Sequence, residues 1–258
     1  MRVAVLGSNG FLGNYICQNL KHDVIPVNRS NLDLGNFSAV KSWLIDTRPD
    51  AVVNCATSGG KTQLGEVSYQ DLQNNLTVFL NFYNNSYLVE KFINIGSGAE
   101  FGIENNIDLA RENDILTVVP KDSYGYSKNL IARLVLEKHQ FYTLRLFGCF
   151  DKTEPDFRLF KKFLASDNFS LIDRQFDYIS ASDFLRILDY YLVNEDLIKD
   201  LNCVYSNKIY LSSILDKFNK EYTTASISPN NYTGNGDKLT RLNIDLEGLD
   251  AGIEKYKE

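Results

Sequence analysis

Tyr124 and Lys128 stand four residues apart, the spacing that puts two side chains on one face of a helix. A phenol can exchange a proton with an alcohol oxygen if its pKa falls from the usual ~10 toward the working pH. A lysine one turn away supplies a positive charge that favours the phenolate. The same spacing recurs at Tyr87 and Lys91, so spacing alone does not choose between the pairs. Ser97 does. It follows the apolar run 92–95, expected as a strand, at the C-terminal end where ligands of an open parallel sheet bind. Tyr124 opens a later helix, whereas Tyr87 precedes that strand and is expected to pack on the side of the sheet away from any ligand. Ser97, Tyr124 and Lys128 together suit proton transfer to or from an alcohol oxygen while a nicotinamide gives or takes hydride. Ser97 would hold the carbonyl oxygen, and Lys128 would also bind the nicotinamide ribose.

A nicotinamide needs a dinucleotide site, and the N-terminus offers one. The first apolar run leads into Gly7, Asn9, Gly10, Phe11, Leu12 and Gly13, with glycines at every third position before a helix. Such a turn lets a pyrophosphate approach backbone N–H groups at a helix N-terminus, where the helix dipole favours negative charge. After the second expected strand, where NAD enzymes carry an acidic residue for the ribose hydroxyls, the chain has Arg29. An arginine there pairs with the 2′-phosphate of NADP(H), leaving NAD(H) as the alternative cofactor. Asp33 and Leu34 are placed at the adenine. Cys55, Ala56 and Thr57, with Asn75, are placed along the rest of the cofactor.

The elements that must position these residues alternate in type. Short β-rich runs at 3–6, 24–27, 51–55, 92–95 and 142–146 are separated by helical periodicity at 11–20, 37–47, 71–87 and 123–139. That order predicts an α/β fold, a Rossmann-like doubly wound parallel sheet, with residues 1–148 as its main body. Residues 149–258 are expected to form a small α/β substrate lobe, with strands from about 170–204 returning to the sheet. In that part a helix is expected at 157–165, another at 211–222, a polar loop at 228–238 and a short amphipathic end at 246–256. The chain has 258 residues, 44% of them hydrophobic, enough for an ordinary core and inconsistent with a disordered chain. The four cysteines have no C-x-x-C spacing and only two histidines to join them, so a metal site is not expected. A net charge of -6 without a Lys/Arg block argues against nucleic acid as partner. The apolar opening run is far too short for a signal or membrane segment, so a cytoplasmic protein with no membrane partner is expected.

The motifs together resemble the extended short-chain dehydrogenase/reductase family that acts on nucleotide sugars. The resemblance rests on Gly7-x-x-Gly10-x-x-Gly13, Asp33-Leu34, Asn54-Cys55-Ala56, Ser97 and Tyr124-Gly125-Tyr126-Ser127-Lys128. It continues through Leu144-Arg145-Leu146-Phe147-Gly148, a return strand at 178–183 with an acidic end, Asn202 with 211–218, and a closing helix from Gly248 to Tyr256. It implies the Ser-Tyr-Lys roles above, a nucleotide-sugar substrate, a homodimer through 71–87 and 123–136, and a place in polysaccharide biosynthesis. Substrate contacts are implied at Ser97, Gly98, Ala99 and Arg174, although Arg174 falls about two positions early for the family's diphosphate arginine. Arg158, Lys161 and Lys162 are unranked candidates.

Departures from the family narrow the reaction. Sugar 4,6-dehydratases carry an Asp-Glu pair after the hydroxyl residue, and GDP-fucose synthases a cysteine; this chain has Gly98 and Ala99 there. Neither elimination nor that epimerisation has its acid and base. Hydride transfer remains, by a NADPH-dependent 4-ketoreductase or by an NAD-dependent nucleotide-sugar 4-epimerase, and Arg29 favours the reductase. A non-catalytic NADP-binding regulator is a third reading, disfavoured because both Tyr124 and Lys128 are present.

Overall fold

The computed structural model describes residues 1–59 and 68–258. Strands and helices alternate through β1 (Arg2–Leu6), α1 (Phe11–Asn19), β2 (Asp23–Val27), α2 (Phe37–Thr47), β3 (Ala51–Asn54), α3 (Tyr69–Asn84), β4 (Lys91–Ser97), β5 (Ile107–Ala110), α4 (Ser123–Leu136) and β6 (Phe141–Leu146). They continue through β7 (Cys149–Phe150), α5 (Leu159–Ala165), β8 (Ser170–Asp173), β9 (Ile179–Ser180), α6 (Ala181–Val193), β10 (Asp200–Asn202) and α7 (Leu211–Leu215). The chain closes with β11 (Thr223–Ile227), β12 (Tyr232–Gly234), α8 (Asp237–Arg241) and α9 (Leu249–Lys257).

Six parallel strands form the central sheet in the order β10-β6-β4-β3-β1-β2. The chain runs from β1 outward to β2 and then crosses back to β3, which opens a crevice beyond the strand ends between β1 and β3. Val3, Ala4, Val5, Val52 and Val53 are wholly buried because helices cover both faces. Ile16, Phe184 and Tyr191 pack on one face; Val40, Phe79, Phe82 and Ile131 pack on the other. This is the doubly wound α/β sheet that the strand–helix alternation predicts. Phe150, Phe160, Phe163, Ile214 and Ile253 form a separate cluster in the C-terminal part. Phe101, Ile107, Phe147 and Tyr232 form another beside the end of β4. No described helix is long and apolar enough to cross a membrane.

Four local expectations change. The strand expected at 178–183 is only β9, because Ser180 already caps α6, its Oγ accepting the Asp183 N–H at 3.1 Å. The helix expected at 211–222 is α7 and a 3-10 turn that ends at Asn219 in the left-handed conformation. The polar loop expected at 228–238 contains β12, paired in parallel with β5, and the start of α8. Three strand residues are too few to show a period. Tyr87 is not packed: it sits in the 3-10 turn after α3 and is 69% exposed. Its neighbour in spacing, Lys91, has a structural use, donating to the carbonyls of Tyr191, Leu192 and Asn194 at the end of α6.

Candidate active site

A cleft of about 1460 Å³ opens at the C-terminal ends of β1, β3, β4 and β6. One end is the glycine turn. Gly7 has φ +75, and a Cβ there would lie 2.8 Å from the Ala56 nitrogen; a Cβ on Gly13 would lie 2.3 Å from the Gly7 oxygen. Only glycines allow β1, α1 and the end of β3 to approach so closely. Gly10 begins α1 with no side-chain cap and no acidic residue in the first turn, so the Phe11, Leu12 and Gly13 N–H groups suit an anion. Asn9, Phe11 and Leu12 line the cleft with these glycines. The turn therefore fits a dinucleotide pyrophosphate.

The remaining cofactor candidates line the same cleft. Arg29 is exposed at its rim and makes no ion pair with a described residue; Asp33 and Leu34 lie beside it. Cys55, Ala56 and Thr57 follow β3. Burial pushes the Cys55 thiol up to about 12, which keeps it neutral. Asn75, from α3, accepts the Ser58 N–H at 2.7 Å and donates to the Ser58 carbonyl at 3.0 Å and the Ser127 hydroxyl at 2.9 Å. It thus ties the loop after β3 to α4.

Ser97, Tyr124 and Lys128 converge on this cleft from two elements. Ser97 ends β4 and turns the chain into a single 3-10 turn, its Oγ accepting the Ala99 N–H at 3.2 Å. Asp122 caps α4 through the Gly125 N–H at 2.8 Å, which starts the helix just before Tyr124. A Cβ on Gly125 would lie 2.6 Å from the Ala99 carbonyl, so the glycine lets α4 lie directly against the turn that carries Ser97. Asn129 secures the contact by donating to the Glu100 carbonyl at 2.8 Å. Lys128 is buried, donates to the Ile95 carbonyl at 2.9 Å, and lies 5.9 Å from the centre of the Tyr124 ring.

A dinucleotide turn, a Ser-Tyr-Lys set and the crossover between β1 and β3 share one cleft, and residues 3–203 match the NAD dependent epimerase/dehydratase family. The chain belongs to that family. Its members are NAD(P)-dependent enzymes of the extended short-chain dehydrogenase/reductase type. No curated protein matches by sequence. Among solved structures, the chain is similar to the GDP-mannoheptose C4 reductase from Campylobacter jejuni with NADP bound, at 18% identity and TM-score 0.79, over 100% of this chain and 98% of that one. It is similar to a dTDP-4-dehydrorhamnose reductase from Clostridium acetobutylicum at 17% identity and TM-score 0.79, covering 100% and 98%. UDP-glucose 4-epimerase from Thermus thermophilus in complex with NAD gives 18% identity and TM-score 0.79, covering 99% and 97%. At identities this low, the TM-scores show a shared fold alone.

In this epimerase/dehydratase-family chain the substrate candidates separate. Ser97 and Ala99 line the cleft, while Gly98 is covered by Phe147 and Tyr232. Arg174 does not line it; the guanidinium lies 5.2 Å over the Phe176 ring. Of the three unranked basic residues, Arg158 reaches the cleft, over the Phe11 ring at 5.5 Å and donating to the Cys149 carbonyl at 2.5 Å. Lys161 and Lys162 are not among the lining residues. Three further residues stand at the cleft or directly behind it. Ser123 lines the cleft beside Tyr124 with a buried hydroxyl that has no partner among the described residues. Glu100 accepts the Ser97 backbone N–H. Tyr232 arrives from β12. Ser123, next to the Tyr-Gly-Tyr-Ser-Lys run, was findable from its position; Tyr232 carried no sequence signal.

Proposed function

We propose that the protein reduces the C4 keto group of a nucleotide-linked sugar with NADPH. One observation carries this: Ser97, Tyr124 and Lys128 open onto the cleft that also holds the glycine turn and Arg29. When bound, NADPH supplies the hydride. Tyr124 gives its phenolic proton to the carbonyl oxygen, which becomes the alcohol of the product. Ser97 hydrogen-bonds that oxygen and holds it toward Tyr124. Lys128, anchored by the Ile95 carbonyl, sets a buried positive charge beside the phenol and the cofactor ribose.

Arg29 takes the 2′-phosphate and favours NADPH, with NADH as the alternative. Gly98 and Ala99 carry no acid or base, which argues against elimination. Likeness to a GDP-mannoheptose C4 reductase and to a dTDP-4-dehydrorhamnose reductase supports a reductase. Residues 149–258 are proposed as the substrate lobe, with Arg158 reaching the cleft from it. The enzyme is proposed to act in the cytoplasm as a homodimer through α3 and α4.

The test is to incubate the protein with NADPH and 4-keto sugars carried on several nucleoside diphosphates. Loss of absorbance at 340 nm matched one-to-one by alcohol product supports the reductase. Interconversion of two sugars without net cofactor oxidation assigns the 4-epimerase instead. Cofactor binding without either reaction across the panel removes the enzymatic reading.

A further inference from the structure

Among the described residues three cations line the cleft: Arg29, Lys128 and Arg158. Arg29 stands at the rim beside Asp33 and Lys128 beside Tyr124, while Arg158 enters from the C-terminal part as the residue immediately before α5. Phe160 and Phe163, buried in the C-terminal cluster, pin that helix. The guanidinium is held before any ligand arrives. Its Nη2 donates to the Cys149 carbonyl at 2.5 Å, its Nε lies 3.6 Å from Glu154, and its carbon lies 5.5 Å from the centre of the Phe11 ring. Glu154 does not line the cleft; it is 1% exposed, and its other oxygen accepts the Tyr256 hydroxyl at 3.0 Å. An arginine carries five N–H donors in a fixed fork, and Nη1 of Arg158 has no partner among the described residues. Phe11 is the first residue of α1, whose uncapped N–H groups suit a pyrophosphate. The free edge of a pre-set guanidinium therefore stands beside the anion-binding end of α1.

We propose that Arg158 is a second ligand for the cofactor's pyrophosphate, donating to it from the C-terminal part of the chain while the α1 N–H groups hold it from the sheet. Cofactor binding then joins the two parts of the molecule. The proposal rests on the dinucleotide site and not on which sugar is reduced.

The test is binding without sugar. The full-length protein is titrated calorimetrically with NADPH and NADH, and with adenosine 2′-monophosphate by competition. Arg158→Met should raise the Kd of NADPH and of NADH alike by at least about tenfold, as expected for a charge-assisted hydrogen bond to a group both share. Adenosine 2′-monophosphate, which has no pyrophosphate, should stay within about twofold. Removing the guanidinium strands the buried Glu154 carboxylate, so a paired variant, Glu154→Gln with Arg158→Met, leaves neither charge alone and should show the same losses. Unchanged dinucleotide affinity in either variant overturns the proposal. So does an equal loss for adenosine 2′-monophosphate, which reports a disturbed site rather than a missing phosphate ligand. Losses confined to UDP or GDP assign Arg158 to the substrate's diphosphate and overturn it as well. A parent that binds NADPH, with the expected losses in the variants, but reduces no sugar removes the reductase reading and leaves Arg158 on the pyrophosphate.

Discussion

Glu100 accepts the backbone N–H of Ser97 at 2.8 Å through Oε1 and turns Oε2 to the Arg145 guanidinium at 2.6 Å. Both side chains are wholly buried, and Arg145 also donates to Asp200 and Asn202, each at 2.9 Å. Two carboxylates around one guanidinium hold it firmly charged. The last residue of β4 is therefore anchored by charge to β6 and β10.

Removing one member of such a network strands its partners. Glu100→Ala should cost about 3 kcal/mol of stability, read from urea unfolding, because Arg145 loses half its compensation in a dry site. A variant as stable as the parent would show that the ion pair is idle.

Tyr124→Phe should abolish turnover and leave NADPH affinity within about twofold, since the phenol acts on the substrate oxygen. Lys128→Met should weaken both. Tyr87→Phe, at an exposed turn, should change neither. Steady-state rates and fluorescence titration of the cofactor separate these outcomes, and turnover that survives in Tyr124→Phe moves the proton donor elsewhere.

Arg29→Ala should weaken NADPH binding by about 1.5–3 kcal/mol and leave NADH nearly unchanged, as expected for loss of a charge-assisted hydrogen bond to a 2′-phosphate. Calorimetric titrations that show equal losses for both cofactors would place Arg29 outside the adenosine site.

Asp177 gives a pH dependence. Its carboxyl accepts from Lys208 at 2.7 Å and from the Gly234 N–H at 2.8 Å, yet burial pushes it up to about 6 from an ordinary 3.8. A carboxyl that holds its proton more tightly when folded stabilises the protein fully below its unfolded pKa, and that contribution is lost as pH rises through about 6. Relative to Asp177→Asn, the parent should lose up to about 3 kcal/mol between pH 4 and pH 7. Urea unfolding at both pH values checks this; a difference that moves the other way means Lys208 outweighs burial.

Half-buried Leu72, Leu76 and Leu80 on α3 and Leu130 and Leu134 on α4 offer apolar surface beyond what the sheet face covers. Light scattering at micromolar concentration should give twice the chain mass, with the two helices meeting their copies about a two-fold axis. A monomer removes the interface.

The features legible in the sequence are those written within one or two turns of chain. Gly7, Gly10 and Gly13 encode a local backbone path, and Tyr124 with Lys128 encodes one helix face, so strand–turn–helix order and i, i+4 spacing sufficed to find them. The doubly wound sheet was legible for the same reason, since each strand needs only its own apolar run to be buried on both faces. Chain order also separated Tyr124 from Tyr87, because only one of them follows the strand that ends in Ser97.

Tertiary structure decided what depends on partners far apart in the chain. Tyr232 reaches the cleft beside Gly98 only because β12 pairs with β5, and three residues in a polar stretch carry no period that announces a strand. Arg158 faces the cleft while Lys161 and Lys162 do not, which is set by the packing of α5 rather than by charge. Glu100, Arg145 and Asp200 are far apart in sequence, and become a buried network only where β4, β6 and β10 lie side by side. Local backbone preferences act over a few residues and leave a pattern in order; pairings across the sheet are chosen by what the whole chain can bury, and no short segment records them.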